Sequence, residues 1–327
     1  MAGNGATGRD TEDNTPGADD DTAVGSVRAP RRRLRRWVWT LIAIILVPSL
    51  LWLAWWGWAL TRPAPDAPPG AGAVTTEEYP WVVAIGYPEG APDDAPSAKG
   101  CMGALVEPDV VVTAGHCLGH TAPEGMEVIV GRSDLRTEDG EIFGVADTWA
   151  HPDRAEDDSN YPLRGLVQRL QWPKADIGLV LLEEELPHET IPLANGDDVP
   201  STEGEQGVLF GYRVAPDDAP VLWQQPAPIV EDETCRERMN STVSPAPLAL
   251  WGVGYDPDSY LCAGVDETAL RVGGTDSGGP LVLDGQVVGV MAWGVGMDRT
   301  NPEYLTRVTT YAGDIEDQIE VWSSDGS

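Results

Sequence analysis

The sequence predicts an all-β domain displayed beyond a single membrane-spanning helix. Three observations carry this. Trp37–Leu60 is uncharged and almost wholly apolar, Thr61–Ala73 is dominated by Pro, Gly and Ala, and from Val74 onward short β-branched runs recur between turn residues. No long segment of 3.6-residue periodicity interrupts those runs before the C-terminus.

The elements follow in chain order. Met1–Arg36 is rich in Gly, Asp, Thr and Ala, lacks apolar periodicity and ends in the basic run Arg31-Arg32-Arg33-Leu34-Arg35-Arg36, so it is expected to be a disordered tail. Trp37–Leu60 as a helix extends roughly 36 Å at ~1.5 Å per residue, enough to cross a ~30 Å hydrocarbon layer with some tilt. Trp37, Trp39, Trp55, Trp56 and Trp58 gather toward its ends as interfacial aromatics do, and Pro48 is tolerable in lipid. A cleaved signal peptide, with Ala71-Gly72-Ala73 as the small-residue site, is the competing reading; its apolar region is usually only ~7–15 residues long. Five arginines directly before the span place the N-terminus in the cytoplasm and everything after Leu60 outside. The chain is thus expected in the cell membrane, single-pass, with its folded domain extracytoplasmic. Thr61–Ala73 reads as a semi-rigid linker.

The folded domain is expected over residues 74–327. Its apolar runs are Trp81–Tyr87, Val110–Thr113, Glu127–Val130, Ile177–Leu182, Val208–Gly211, Leu281–Leu283, Val287–Trp293 and Tyr304–Val308. Asp153–Arg169 reads as an inserted polar loop, and one helix is expected at the end, where Ile315, Ile319 and Trp322 share a face.

A hydrophobic fraction of 42% is ample for a core. The formal net charge of −32 is carried almost entirely beyond the span, because six acids and seven arginines nearly cancel in the tail. Such acidity repels nucleic acid and suits the surface of a secreted domain. All four cysteines lie beyond the span, which suggests two disulfides in an oxidising compartment, with three pairings open by arithmetic. No converging set of metal ligands is visible, and no cofactor is implied. Of the four histidines, His120 follows Cys117 in a loop, and His151 and His188 each sit beside a proline and read as loop residues.

Serine becomes a useful nucleophile when an imidazole takes its proton and a carboxylate fixes the imidazole's tautomer. Three segments supply these groups. Val112-Thr113-Ala114-Gly115-His116-Cys117 resembles the Thr-Ala-Ala-His-Cys signature of chymotrypsin/trypsin-like serine peptidases. Ala175-Asp176-Ile177-Gly178-Leu179 resembles that family's Asp-Ile-Ala-Leu segment, and Thr275-Asp276-Ser277-Gly278-Gly279-Pro280 its Gly-Asp-Ser-Gly-Gly-Pro. The order His, Asp, Ser is also the family's. Further similarity runs through Tyr79-Pro80-Trp81, Val130-Gly131-Arg132, His151-Pro152, Ala292-Trp293-Gly294 and Thr306-Arg307-Val308, and so covers the whole domain.

The resemblance implies a pair of six-stranded antiparallel β-barrels with the site between them, and His116, Asp176 and Ser277 as catalytic triad. It also implies disulfides Cys101–Cys117 and Cys235–Cys262, an oxyanion hole made by the N–H groups of Thr275 and Ser277, and a substrate pocket around Arg271, Trp293, Gly294 and Glu303. The chain departs from the pattern in places. Thr275 stands where the family has glycine, and Gly273 where it has a pocket cysteine. Arg271, six residues before the serine, replaces the acid of Lys/Arg-specific members. No Ile-Val-Gly-Gly sequence is present to supply a new N-terminus for Asp276. Ala73-Val74-Thr75-Thr76 is the nearest approximation, and Arg213 is the internal cation expected to neutralise Asp276 otherwise. The expected activity is endopeptidase cleavage of protein or peptide substrates. The alternative is a catalytically weak pseudopeptidase serving as a surface binding module.

Overall fold

The computed structural model describes residues 42, 46–47, 49–51, 54, 69–88, 99–119, 121–154, 174–195, 204–212, 220–242, 255–264, 276–294 and 302–325. The chain divides into two compact units, Met1–Pro63 and Ala64–Ser327. In the first, Ile42, Leu46, Val47, Ser49, Leu50, Leu51 and Ala54 are helical and exposed. Among the described residues no helix is long and apolar enough to cross a membrane; most of Trp37–Leu60 lies outside them.

The second unit holds two closed antiparallel barrels. The first is built in the order β2 (Val82–Gly86), β3 (Lys99–Glu107), β4 (Val110–Thr113), β7 (Gly178–Leu182), β6 (Glu141–Ala150), β5 (Glu127–Val130), and β5 returns to β2. The second runs β8 (Gln206–Gly211), β9 (Trp223–Val230), β10 (Tyr260–Ala263), β13 (Glu303–Arg307), β12 (Gln286–Gly294), β11 (Pro280–Leu283), and β11 closes onto β8. A two-residue strand, β1 (Gly72–Ala73), adds to β9 with Gly72 opposite Gln224. Closure removes the exposed sheet edges that otherwise invite aggregation.

β2 shows why several strands read as unbroken apolar runs. All five of its residues are buried. Alternation sends Val83 and Ile85 into the first barrel's core, with Leu105, Val112 and Leu179. Val82 and Ala84 point the other way, joining Met102, Ile129, Phe210, Tyr212 and Leu222 in a cluster that draws on both barrels. Tyr79, Trp81 and Phe210 pack edge to face along that seam. The second barrel encloses Leu209, Leu261, Leu281, Val288, Met291 and Leu305.

β3, β6, β9 and β10 are absent from the runs read in the sequence. β9 is the instructive one, because Pro226 and Pro228 break its pattern. Ile229 N–H reaches Glu205 O on the β8 side, so alternation turns the proline nitrogens to the opposite edge. There Pro226 falls between the pairings with β1 and β10, and Pro228 stands at the end of the β10 ladder, where its carbonyl still accepts Gly264 N–H at 2.9 Å and only the reciprocal bond is forgone. β3 is interrupted by Gly103, which is required: a Cβ there would lie 2.4 Å from Val111 Cγ1 and 2.7 Å from Val112 O.

Among the described residues two α-helices pack on these barrels. α1 (Asp232–Thr242) is fastened to β10 by the Cys235–Cys262 disulfide. α2 (Val308–Asp325) follows β13 and lays Val308, Tyr311, Ile315, Ile319 and Trp322 on the first barrel's core. Trp322 Nε1 donates to Asp147 Oδ2 on β6 at 3.0 Å, pinning the helix end.

Candidate active site

His116 sits in a short 3₁₀ turn, Gly115–Gly119, just after β4. The Cys101–Cys117 disulfide ties that turn to β3, and the Tyr87 hydroxyl donates to Cys117 O at 2.5 Å. The His116 side chain remains 31% exposed, which leaves one ring edge accessible. Its two sulfur neighbours are bonded to each other, so they offer no thiolate to a metal.

Asp176 precedes β7 and is 1% exposed. Ala175 before it adopts a left-handed backbone, φ 52°, and Ile177 N–H bonds back to Ala175 O at 2.8 Å, so a tight turn swings the carboxylate toward the histidine. Asp176 Oδ1 accepts the His116 backbone N–H at 2.7 Å, and Oδ2 lies 2.7 Å from His116 Nδ1. An ionised carboxylate is acceptor only, so Nδ1 must carry the proton and Nε2 keeps its lone pair. Thr306 Oγ1 on β13 donates to Asp176 O at 2.8 Å, joining the second barrel to this turn.

Lys174 opens the same turn and reaches Asp256 Oδ2 at 2.8 Å. Partial burial pushes the Asp256 carboxyl up, but the Lys174 hydrogen bond and charge outweigh it and hold the group below its ordinary value of 3.8. Because the folded pKa is the lower one, the stabilisation is full above the ordinary carboxylate range and is lost as pH falls through the depressed value. Lys174 is mostly exposed, which limits the pair to less than about 1 kcal/mol. Asp256→Asn is therefore expected to lower Tm near neutral pH by less than about 4 °C. Melting curves of both proteins should converge by about pH 2–3; a gap that persists there assigns the loss to packing instead.

Ser277 lies in the turn Asp276–Gly279 before β11. Asp276 is fully buried and its Oδ1 accepts Tyr212 N–H at 2.9 Å. Ser277 O accepts Met102 N–H at 2.8 Å, and the Cys117 sulfur lies 3.9 Å from the same oxygen. Gly278, at φ 85°, donates its N–H to Met291 O at 2.7 Å, and Met291 N–H returns to Gly279 O at 2.8 Å. The serine turn thus belongs to the second barrel but is docked on β3 of the first, against the disulfide that also bounds His116.

Other expected residues are placed less fully. Arg213, Arg271 and Thr275 lie outside the described residues, as does His120. Trp293 and Gly294 end β12, opposite Tyr304 and Glu303 of β13, and Glu303 is half-buried. In the intact chain Ala73 pairs with Trp223, Val74 N–H bonds to Leu222 O at 3.0 Å, and Thr76 is buried with its N–H and hydroxyl on Ser133 Oγ, so that stretch is woven into the domain along β9. His151 lies in the loop after β6, as read, but is buried there: it is 4% exposed, with its ring against Trp149 and Tyr311. Tyr212, Met102, Thr306 and Arg154 carry the site in ways the motifs do not announce.

A family model described as Trypsin matches residues 70–315. The chain belongs to the trypsin family. This trypsin-family peptidase is 26% identical to a trypsin of Saccharopolyspora erythraea over 254 residues, covering 76% of this chain and 97% of that relative. It is 29% identical to the vitellin-degrading protease of Bombyx mori over 212 residues, 63% of this chain and 70% of the other. Among solved structures, the VesB protease of Vibrio cholerae superposes with a TM-score of 0.57 at 22% identity. The superposition covers 75% of this peptidase and 65% of VesB, and it shows a shared fold.

Proposed function

We propose that this trypsin-like serine endopeptidase works through Ser277, His116 and Asp176 at the surface of the cell membrane. The observation that carries the reading is the buried Asp176 carboxylate gripping both the backbone and Nδ1 of His116 at 2.7 Å. With Nδ1 occupied, Nε2 takes the Ser277 hydroxyl proton as the oxygen attacks a peptide carbonyl. The imidazolium then returns that proton to the leaving amine, and an acyl-enzyme remains. Water repeats the sequence to release the acid. The N–H groups of Ser277 and Thr275 hold the tetrahedral oxyanion. Arg271, Trp293, Gly294 and Glu303 line the substrate pocket. Arg213 neutralises Asp276, whose carboxylate braces the serine turn through Tyr212 N–H.

The helix Trp37–Leu60 anchors the enzyme with residues 1–36 inside, 61–73 as linker and the peptidase outside. The arginine run before the span supports this orientation, and the exposed apolar side chains of Ile42, Leu46, Val47, Leu50 and Leu51 suit a lipid environment.

A membrane-impermeant fluorophosphonate probe applied to intact cells tests both parts at once. Wild type should be labelled on whole cells and Ser277→Ala should not. Labelling that appears only after lysis overturns the topology. Purified, folded protein that never reacts overturns the catalytic assignment in favour of a binding module.

A further inference from the structure

We infer that Arg154 is a positioning residue of the catalytic pair, its guanidinium charge holding the buried Asp176 carboxylate and setting the acid limit of activity. The inference rests on the roles of His116 and Asp176 proposed above.

Arg154 Nε lies 3.4 Å from Asp176 Oδ1, and its side chain is 23% exposed. Nε is buried and has no hydrogen-bond partner. At that distance and without bonding geometry the guanidinium acts as a charge rather than as an aligned donor. A carboxylate withdrawn from water requires such a countercharge.

Gly115 is an independent observation. In the signature that this segment resembles, the position before the histidine is alanine. Here a Cβ would stand 2.7 Å from Arg154 Cδ and 2.9 Å from Ile177 O. Glycine at 115 leaves the path along which the arginine stem reaches Asp176.

The backbone that presents Arg154 is also fixed. Arg154 N–H bonds to His151 O at 2.9 Å, and His151 N–H bonds to Ile177 O at 3.1 Å, immediately beside Asp176. His151 Nδ1 accepts Asp153 N–H and its Nε2 lies 3.1 Å from Asp314 Oδ2 on α2. The arginine therefore approaches from a turn anchored to the same strand start that carries the carboxylate.

The surrounding groups leave this charge uncontested. From the β4 turn comes His116 itself, and from β13 the neutral hydroxyl of Thr306. Lys174 is engaged by Asp256, and Asp314 by His151. Among the described residues Arg154 is the cation that faces the His116–Asp176 pair. Such a cation opposes a second positive charge on the neighbouring imidazole.

The rate of inactivation of the purified full chain by a fluorophosphonate, measured from about pH 4 to pH 9, reads the working base without a known substrate. Arg154→Gln is expected to move the acid limb upward by about half to one pH unit, a three- to tenfold slower reaction below the limb. Arg154→Lys should return the limb to its wild-type position. Gly115→Ala should shift it in the same direction as Arg154→Gln, and by less when combined with it. If Arg154→Gln does not fold, the Gly115→Ala profile carries the test by itself. A limb unmoved in Arg154→Gln, or moved equally by Gln and Lys, overturns the inference while wild type still reacts. A wild type that does not react overturns the assignment of His116 and Asp176 as well.

Discussion

Asp176→Asn is expected to lower turnover roughly ten-thousand-fold, the magnitude this exchange has in serine-protease triads. The reason lies in which atoms can donate. Wild-type Oδ1 and Oδ2 are both acceptors, one serving His116 N–H and the other Nδ1–H, each at 2.7 Å. Asparagine keeps one acceptor and replaces the other with an NH₂ donor. The backbone N–H is fixed, so the amide oxygen stays on it and the NH₂ faces Nδ1. His116 must then offer a lone pair at Nδ1 and carry its proton on Nε2, the nitrogen that has to accept from Ser277. Shape hardly changes, so the loss should appear in turnover and not in KM, while Tm falls because Arg154 loses the carboxylate it faces. Steady-state kinetics on a peptide substrate, with the melting curve as control, decide it. A loss of less than tenfold would mean that Asp176 does not set the tautomer of His116.

The segments that carry His116, Asp176 and Ser277 stood out in the sequence because each is a short contiguous peptide whose residue types must occur together. His116, Asp176 and Ser277 arrive on separate turns, after β4, before β7 and before β11, yet each announces itself locally. Strands whose residues are buried on both faces were legible for a related reason. Val110–Thr113 and Glu127–Val130 are found with the bounds read from the sequence, since a continuous apolar run needs no alternation to be recognised. β9 was hidden because its prolines are tolerated only through the placement of β1 and β10, partners distant in sequence. The same holds for Arg154. In sequence it opens a polar stretch; its significance comes from a 3.4 Å approach to Asp176 that only the folded turn creates. The bond from Val74 N–H to Leu222 O was hidden for the same reason, since its partner is distant in sequence.

Gly278→Ala should be the most damaging single methyl group in the serine turn. Two separate costs act there. The residue sits at φ 85°, where a Cβ crowds the carbonyl, at about 1–2 kcal/mol. The added methyl would also lie 2.1 Å from Met102 O and 2.3 Å from Thr113 Oγ1, which itself donates to Met102 O at 2.6 Å. The first of those atoms is backbone and the second is held to it, so the turn must retreat from β3, at a further ~1–3 kcal/mol typical of overpacking. Retreat breaks the Met102 N–H bond to Ser277 O and moves the nucleophile away from His116. The expectation is a loss of about 2–5 kcal/mol, a Tm drop of roughly 4–20 °C, and fluorophosphonate labelling slowed at least a hundredfold. Gly285→Ala separates the two costs. Gly285 has φ 80° in the two-residue Asp284-Gly285 hairpin between β11 and β12, with nothing within 4 Å of its Cβ position. It should lose only the backbone share of stability and label at the wild-type rate. If the two variants melt together and label alike, the docking of the Ser277 turn on Met102 is not what places the nucleophile.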